Sequence, residues 1–276
     1  MSEIGAISDM SEQQLVGKTA FVTGGTAGIG LAVARAYTRA GAEVVIGGRR
    51  DDGEEIARAA GCRFVALDVG NELDVRRALA AAEQLVGPLD VLVLNAGIAQ
   101  PFVPLEALTA DDARSVVEID LLGVVWGLKH GAAHLRDGAS VILTSSIAAE
   151  LGTLTEGVYG AAKAGVVALA RSSAIELGPR GIRVNAVQPG PTATEMNQMP
   201  DALFRLITPL GRKGQVEDLV GVYVFFASDA SRYVTGQTLN VDGGLTAGIT
   251  PGVLRAVAAQ VWKDAERAAA TVGAES

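Results

Sequence analysis

The chain has 276 residues, 49% of them hydrophobic and only 4% aromatic, which is enough apolar material for one large core. Lys and Arg number 23 against 31 Asp and Glu, a net charge of −8, and such an acidic chain has no broad attraction for nucleic acid. The single cysteine, Cys62, excludes an internal disulfide and fits a reducing compartment, so a cytoplasmic location is expected. The N-terminal stretch has no apolar core of a signal peptide, and the apolar run at 121–128 is too short to span a bilayer, so neither export nor a membrane is expected; no metal site is expected either.

Residues 1–14 read as a flexible tail. Short, continuously apolar runs predict strands at 19–22, 43–46, 63–67, 91–94, 140–143, 183–187 and 238–241, the pattern of parallel strands buried on both faces. Helical patterns fill the gaps at 29–39, 54–59, 72–85, 111–135, 158–177 and 216–227. This alternation predicts an α/β fold: a single Rossmann-type, doubly wound parallel sheet of about seven strands with helices on both faces, spanning 15–248. Residues 189–210 show little periodicity and read as a long loop of the kind that forms lids. Past Gly248, Leu254, Val257, Ala258, Val261 and Trp262 recur at helical spacing, so 249–276 is expected to form an amphipathic helix. Packing on the protein's own surface is the expectation, against a sharper alternative in which it covers its own or a neighbour's pocket.

The first strand runs into Thr23-Gly24-Gly25-Thr26-Ala27-Gly28-Ile29-Gly30 and then a helix. Glycines there permit a tight turn and let the backbone approach a pyrophosphate, while the helix N-terminus offers free N–H groups. At the end of the second strand an NAD site would place an acid on the ribose hydroxyls. Here Gly48 stands at that position, followed by Arg49 and Arg50. A guanidinium forks onto a 2′-phosphate that a carboxylate would repel, so NADP(H) is expected with Arg49 as the main contact, NAD being the alternative. Asp68-Val69 and Asn95-Ala96-Gly97 close the third and fourth strands, where ligands bind in open α/β sheets.

Tyr159 and Lys163 lie four apart on one helix face. A free phenol titrates near ~10, and a neighbouring ammonium favours its ionised form, which suits it to general acid–base work. Ser146 closes the strand before that helix, thirteen positions ahead of Tyr159, with Ser145 as its rival.

The motif T-G-x-x-x-G-x-G, the Asn-Ala-Gly segment and the Ser/Tyr-x-x-x-Lys spacing occur in an order that resembles the short-chain dehydrogenase/reductase family over about Gly17 to Gly244. The resemblance implies hydride transfer between a nicotinamide and a ketone or secondary alcohol. It implies roles for Ser146, Tyr159 and Lys163 in catalysis, with Lys163 also on the nicotinamide ribose. It assigns Gly24, Thr26, Gly28, Ile29, Gly30, Asp68, Val69, Asn95, Ala96, Gly97, Pro189, Gly190, Thr192 and Thr194 to the cofactor. Asp120 is placed with the catalytic residues too: it stands where the family usually has Asn, a residue whose main-chain carbonyl holds a water of the proton relay. In the family, helices matching 111–135 and 158–177 build a dimer face and tetramers are common, which implies a homotetramer, with a dimer as the second expectation. A catalytically inactive cofactor-binding regulator or scaffold is the competing class, and reduction of an activated C=C bond is a third. Gln100–Val103, Ala148–Thr153, Val158 and the 191–210 loop, with Met196, Met199, Leu203, Phe204 and Ile207, are the expected walls of the substrate pocket.

Overall fold

The computed structural model describes residues 14–197 and 199–274. Most of the expected tail, 1–13, lies outside the described residues. Seven strands form one sheet: β1 (Thr19–Thr23), β2 (Glu43–Gly48), β3 (Arg63–Ala66), β4 (Leu89–Leu94), β5 (Leu135–Thr144), β6 (Arg183–Pro189) and β7 (Thr238–Val241). Their order is β3-β2-β1-β4-β5-β6-β7 and every neighbouring pair is parallel.

The continuously apolar strands divide by alternation into two cores. Phe21, Val45, Leu92, Leu94, Val141 and Leu143 join one cluster, and Ala20, Val22, Ile46, Val91, Val93 and Ile142 join the other. Each is closed by helices: α1 (Gly28–Arg39), α2 (Gly53–Ala59), α3 (Glu72–Val86), α4 (Ala110–Val117), α5 (Gly123–Gly131), α6 (Gly157–Leu177), α7 (Asp201–Ile207) and α8 (Val216–Ala227). The chain order reverses between β1 and β4, so the loops after these two strands flank the crevice in which such sheets bind ligands.

Three expectations need correction. The helix predicted over 111–135 is interrupted by a π-helical turn, Glu118–Leu122, and ends before β5 begins at Leu135. The 189–210 loop contains a helix, α7, which buries Phe204. The C-terminal helix α9 (Pro251–Ala274) forms, but only its start packs, against α7. Leu254, Val257, Val261 and Trp262 of its apolar stripe are exposed, so among the described side chains this stripe does not pack on the body of its own chain.

Candidate active site

Three elements converge at the C-terminal edge of β5. Ser146 follows the strand in extended conformation and caps a one-turn 3₁₀ helix, its Oγ accepting from the Ala148 amide at 3.2 Å. Tyr159 lies in the first turn of α6 and Lys163 one turn further along. The Lys163 ammonium sits 5.6 Å from the centre of the Tyr159 ring, donates to the Thr144 carbonyl at 3.3 Å and forms an ion pair with Asp120 Oδ1 at 2.9 Å. Lys163 is 3% exposed and Asp120 is fully buried. The Ser145 hydroxyl is spent on the Lys163 carbonyl at 2.8 Å, so of the two serines only Ser146 faces the phenol.

The electrostatics differ from the simple expectation of a phenol made acidic by its lysine. Burial raises the Tyr159 phenol above its ordinary value; Lys163 pulls it down, Asp120 pushes it up, a hydrogen bond from Ser146 pulls it down and Glu156 pushes it up. Burial also opposes the charge on Lys163, but the phenol and the Asp120 carboxylate outweigh it and hold the ammonium above its ordinary value. Asp120 therefore keeps the lysine charged and at the same time offsets part of that charge at the phenol.

Across the crevice the glycine turn fits a pyrophosphate. Gly24 stands at φ +65°, and a Cβ there would lie 2.8 Å from Ala96 Cα, so this glycine seats the turn against the end of β4. Over Gly28 an added Cβ would meet nothing nearer than Thr194 at 3.4 Å. Ala27 caps α1 without a side-chain acceptor, which leaves its first-turn N–H groups for an anion. A cleft lined by Gly28, Leu31, Arg35, Thr194 and Lys213 opens beside this helix end.

A family model described as enoyl-(acyl carrier protein) reductase matches residues 24–246. The chain belongs to the short-chain dehydrogenase/reductase family. It is 41% identical over 241 residues to cis-4-hydroxycyclohexanecarboxylate dehydrogenase of Sinomonas cyclohexanicum, covering 83% of this chain and 97% of that one. It is 37% identical over 249 residues to the NADP-dependent (R)-specific alcohol dehydrogenase of Lentilactobacillus kefiri, covering 85% and 98%. Among solved structures, a blue fluorescent protein from a metagenomic library, in complex with NADPH, superposes with a TM-score of 0.80 at 34% identity over 84% of this chain and 99% of the other. As a short-chain dehydrogenase/reductase the chain is an NAD(P)-dependent oxidoreductase with a Rossmann-like fold.

Within this short-chain dehydrogenase/reductase the expected site residues fall into several groups. Asn95 is a staple: its Nδ2 donates to the Thr23 carbonyl at 3.1 Å, and Thr144 donates to its Oδ1 at 3.3 Å, which ties the ends of β1, β4 and β5 together. Gly97 makes room for the ion pair, since a Cβ there would lie 2.5 Å from Asp120 Oδ1 and 3.2 Å from Lys163 Nζ. Asp68 accepts from the Gly70 amide at 3.0 Å, with Val69 buried beside it. Thr192 donates to the Gly190 carbonyl at 2.9 Å, and Thr194 faces Gly28. At the end of β2 an added Cβ on Gly48 would meet Thr26 Oγ1 at 2.8 Å, so an acidic side chain there would require Thr26 to shift. Arg50 is held by Asp52 through contacts of 2.8 and 3.0 Å, whereas exposed Arg49 has no ion-pair partner among the described residues.

The departure at Asp120 has a structural consequence. The π-helical turn turns this side chain inward, where Oδ2 accepts from the Ile98 amide at 3.2 Å and Oδ1 meets Lys163. Buried Gln188 was not identified by sequence as part of the site; it donates to the Ser146 carbonyl at 3.0 Å. Gln100, expected from the sequence only as a pocket wall, also bonds the start of α6. No local pattern marks either, because their partners lie 42 to 59 residues away in the chain.

Proposed function

We propose that the chain moves a hydride between a nicotinamide dinucleotide and a ketone or secondary alcohol, with Tyr159 as the proton donor and acceptor. The observation that carries this reading is a half-buried phenol held between the Ser146 hydroxyl and a charged Lys163 at the mouth of the crevice. The dinucleotide, when bound, supplies or accepts the hydride and in its oxidised form adds a positive charge that further favours the phenolate. Tyr159 Oη gives its proton to the substrate oxygen in reduction and removes one in oxidation. Ser146 Oγ donates to the same oxygen, where negative charge develops. Lys163 stabilises the phenolate and holds ribose hydroxyls. Tyr159 and Lys163 thus belong to both the catalytic and the cofactor sets, with Gly24, Thr26, Gly28, Ile29, Gly30, Asp68, Val69, Asn95, Ala96, Gly97, Pro189, Gly190, Thr192 and Thr194 around the dinucleotide.

NADP(H) is the proposed cofactor, because Gly48 puts no carboxylate at the acid position and Arg49 has no ion-pair partner among the described residues. Replacing Arg49 with Ala is expected to lower kcat/KM for NADPH by about tenfold to a hundredfold, the worth of a charge-assisted hydrogen bond, with little change for NADH. Steady-state kinetics with both cofactors check this, and an equal effect on the two would refute it.

Asp120 is proposed to set the pH range of the reaction. Its charge raises the phenol's pKa, so Asp120→Asn, which retains an acceptor for the Ile98 amide, is expected to move the alkaline rise of alcohol oxidation to lower pH by up to about one unit. A pH–rate profile that stays in place or moves to higher pH would refute the coupling.

The reading as a whole is tested by turnover on a panel of ketones, secondary alcohols and activated alkenes, in both directions. Absence of turnover on every compound would favour the scaffold alternative. Alkene reduction is the second reading, favoured by the description of the matching family model, and turnover confined to alkenes would select it. A cytoplasmic homotetramer is part of the proposal, and light scattering measures its mass.

A further inference from the structure

Tyr159 donates its proton from the first turn of a helix whose own cap is weak. The first amides of α6 have no intrahelical acceptor, and Glu156 at the cap position supplies no side-chain bond. The amide of Tyr159 itself is satisfied from elsewhere: it donates to Gln100 Oε1 at 2.9 Å. Gln100 lies on the loop after β4, is 8% exposed, and turns its other amide atom to the Thr155 carbonyl, which accepts from Nε2 at 2.7 Å. One donor and one acceptor set the amide's orientation uniquely.

Thr155 is the one non-glycine residue with positive φ among the described residues, at +66°. A threonine resists this conformation, so something must hold it. Gln100 grips the strained residue and the reactive one with the same side chain. Phe102 and Leu154, beside the two ends of the clamp, are exposed, so the clamp ties two surface segments together.

We infer that Gln100 is a positioning residue, which sets the seat of Tyr159 by clamping the strained Thr155 turn to the first turn of α6. This inference rests on the reading of Tyr159 as the proton donor. Gln100 does not touch the reacting atoms. It acts through the backbone, and a small displacement of a reacting group is enough to slow the chemical step severalfold to a hundredfold.

Substitutions of Gln100, one of them also made in a second background, test it on the full-length protein by kinetics, pH profile and hydrogen exchange. With Gln100→Ala, kcat for ketone reduction with NADPH is expected to fall about tenfold while the KM for NADPH stays within about twofold, and backbone hydrogen exchange over residues 155–162 is expected to quicken. Glycine adopts positive φ without strain, so the same change made in a Thr155→Gly background is expected to cost distinctly less in kcat. Gln100→Glu keeps the acceptor for Tyr159 but places a carboxylate near the phenol, and the pH profile is expected to move to higher pH. The inference is overturned by an unchanged kcat in Gln100→Ala, by equal losses in the two backgrounds, or by faster exchange with neither rate nor pH profile altered. If the unmodified protein turns over no carbonyl compound, the proposed function fails instead, and exchange at 155–162 still decides whether the clamp exists.

Discussion

Tyr159→Phe is expected to lower kcat in both directions by about 10²–10⁴-fold, the usual worth of a positioned general acid or base. The change removes only the phenolic oxygen. The ring, the backbone bond to Gln100 and the contact with Lys163 all survive, so NADPH affinity and melting temperature should move little. Removing the hydroxyl gives up one hydrogen bond, to Ser146, worth about 1 kcal/mol, so the loss of stability should be small. Cofactor binding by fluorescence titration, set beside single-turnover rates, separates the two effects. A variant that keeps more than about a tenth of the rate would rule out the phenol as proton donor, and a loss of cofactor binding equal to the loss of rate would assign it a binding role instead.

Lys163→Met carries the second large effect, on stability as well as rate. Asp120 is completely buried, and Lys163 Nζ is its charge partner at 2.9 Å. Breaking a buried pair by removing one member typically costs about 3–5 kcal/mol, because a charge is left without compensation. For a chain of this size that corresponds to a fall in melting temperature on the order of 10 °C. The double variant Lys163→Met with Asp120→Asn removes both charges while retaining an acceptor for the Ile98 amide, and is expected to recover much of the stability. It should recover none of the rate, because the phenolate then has no cation beside it. Calorimetry and kinetics on the two variants give this divergence directly. If the double variant is as unstable as the single one, the energy lies in the packing of the lysine stem and not in the ion pair.

Much of the site was legible because its chemistry follows strand ends. Gly24–Gly30 follows β1, Arg49 follows β2, Asn95–Gly97 follows β4 and Ser146 follows β5, and in a parallel sheet these ends share one edge. Tyr159 and Lys163 needed only the helical period. Two expectations failed for a common reason: periodicity reports a face, not the neighbour that covers it. The apolar stripe of α9 implied a packed helix, yet Leu254 to Trp262 are exposed. The run 111–135 implied one continuous helix, and the π-helical turn that carries Asp120 to Lys163 breaks it.

What the sequence determined by itself is the alternation of strands and helices, the sheet edge at which the candidate binding segments gather, and the choice of Ser, Tyr and Lys as candidate catalytic side chains. These depend on local period and on residue type, which a linear reading contains. Only the tertiary structure decided the balance of charge around Tyr159, the approach of Thr26 to the acid position, and the clamp from Gln100 to Thr155 and Tyr159. The Asp120 charge at Tyr159, the contact of Thr26 with Gly48 and the Gln100 clamp each join residues 22 to 59 positions apart, and such proximity comes into being only when the sheet and its helices pack.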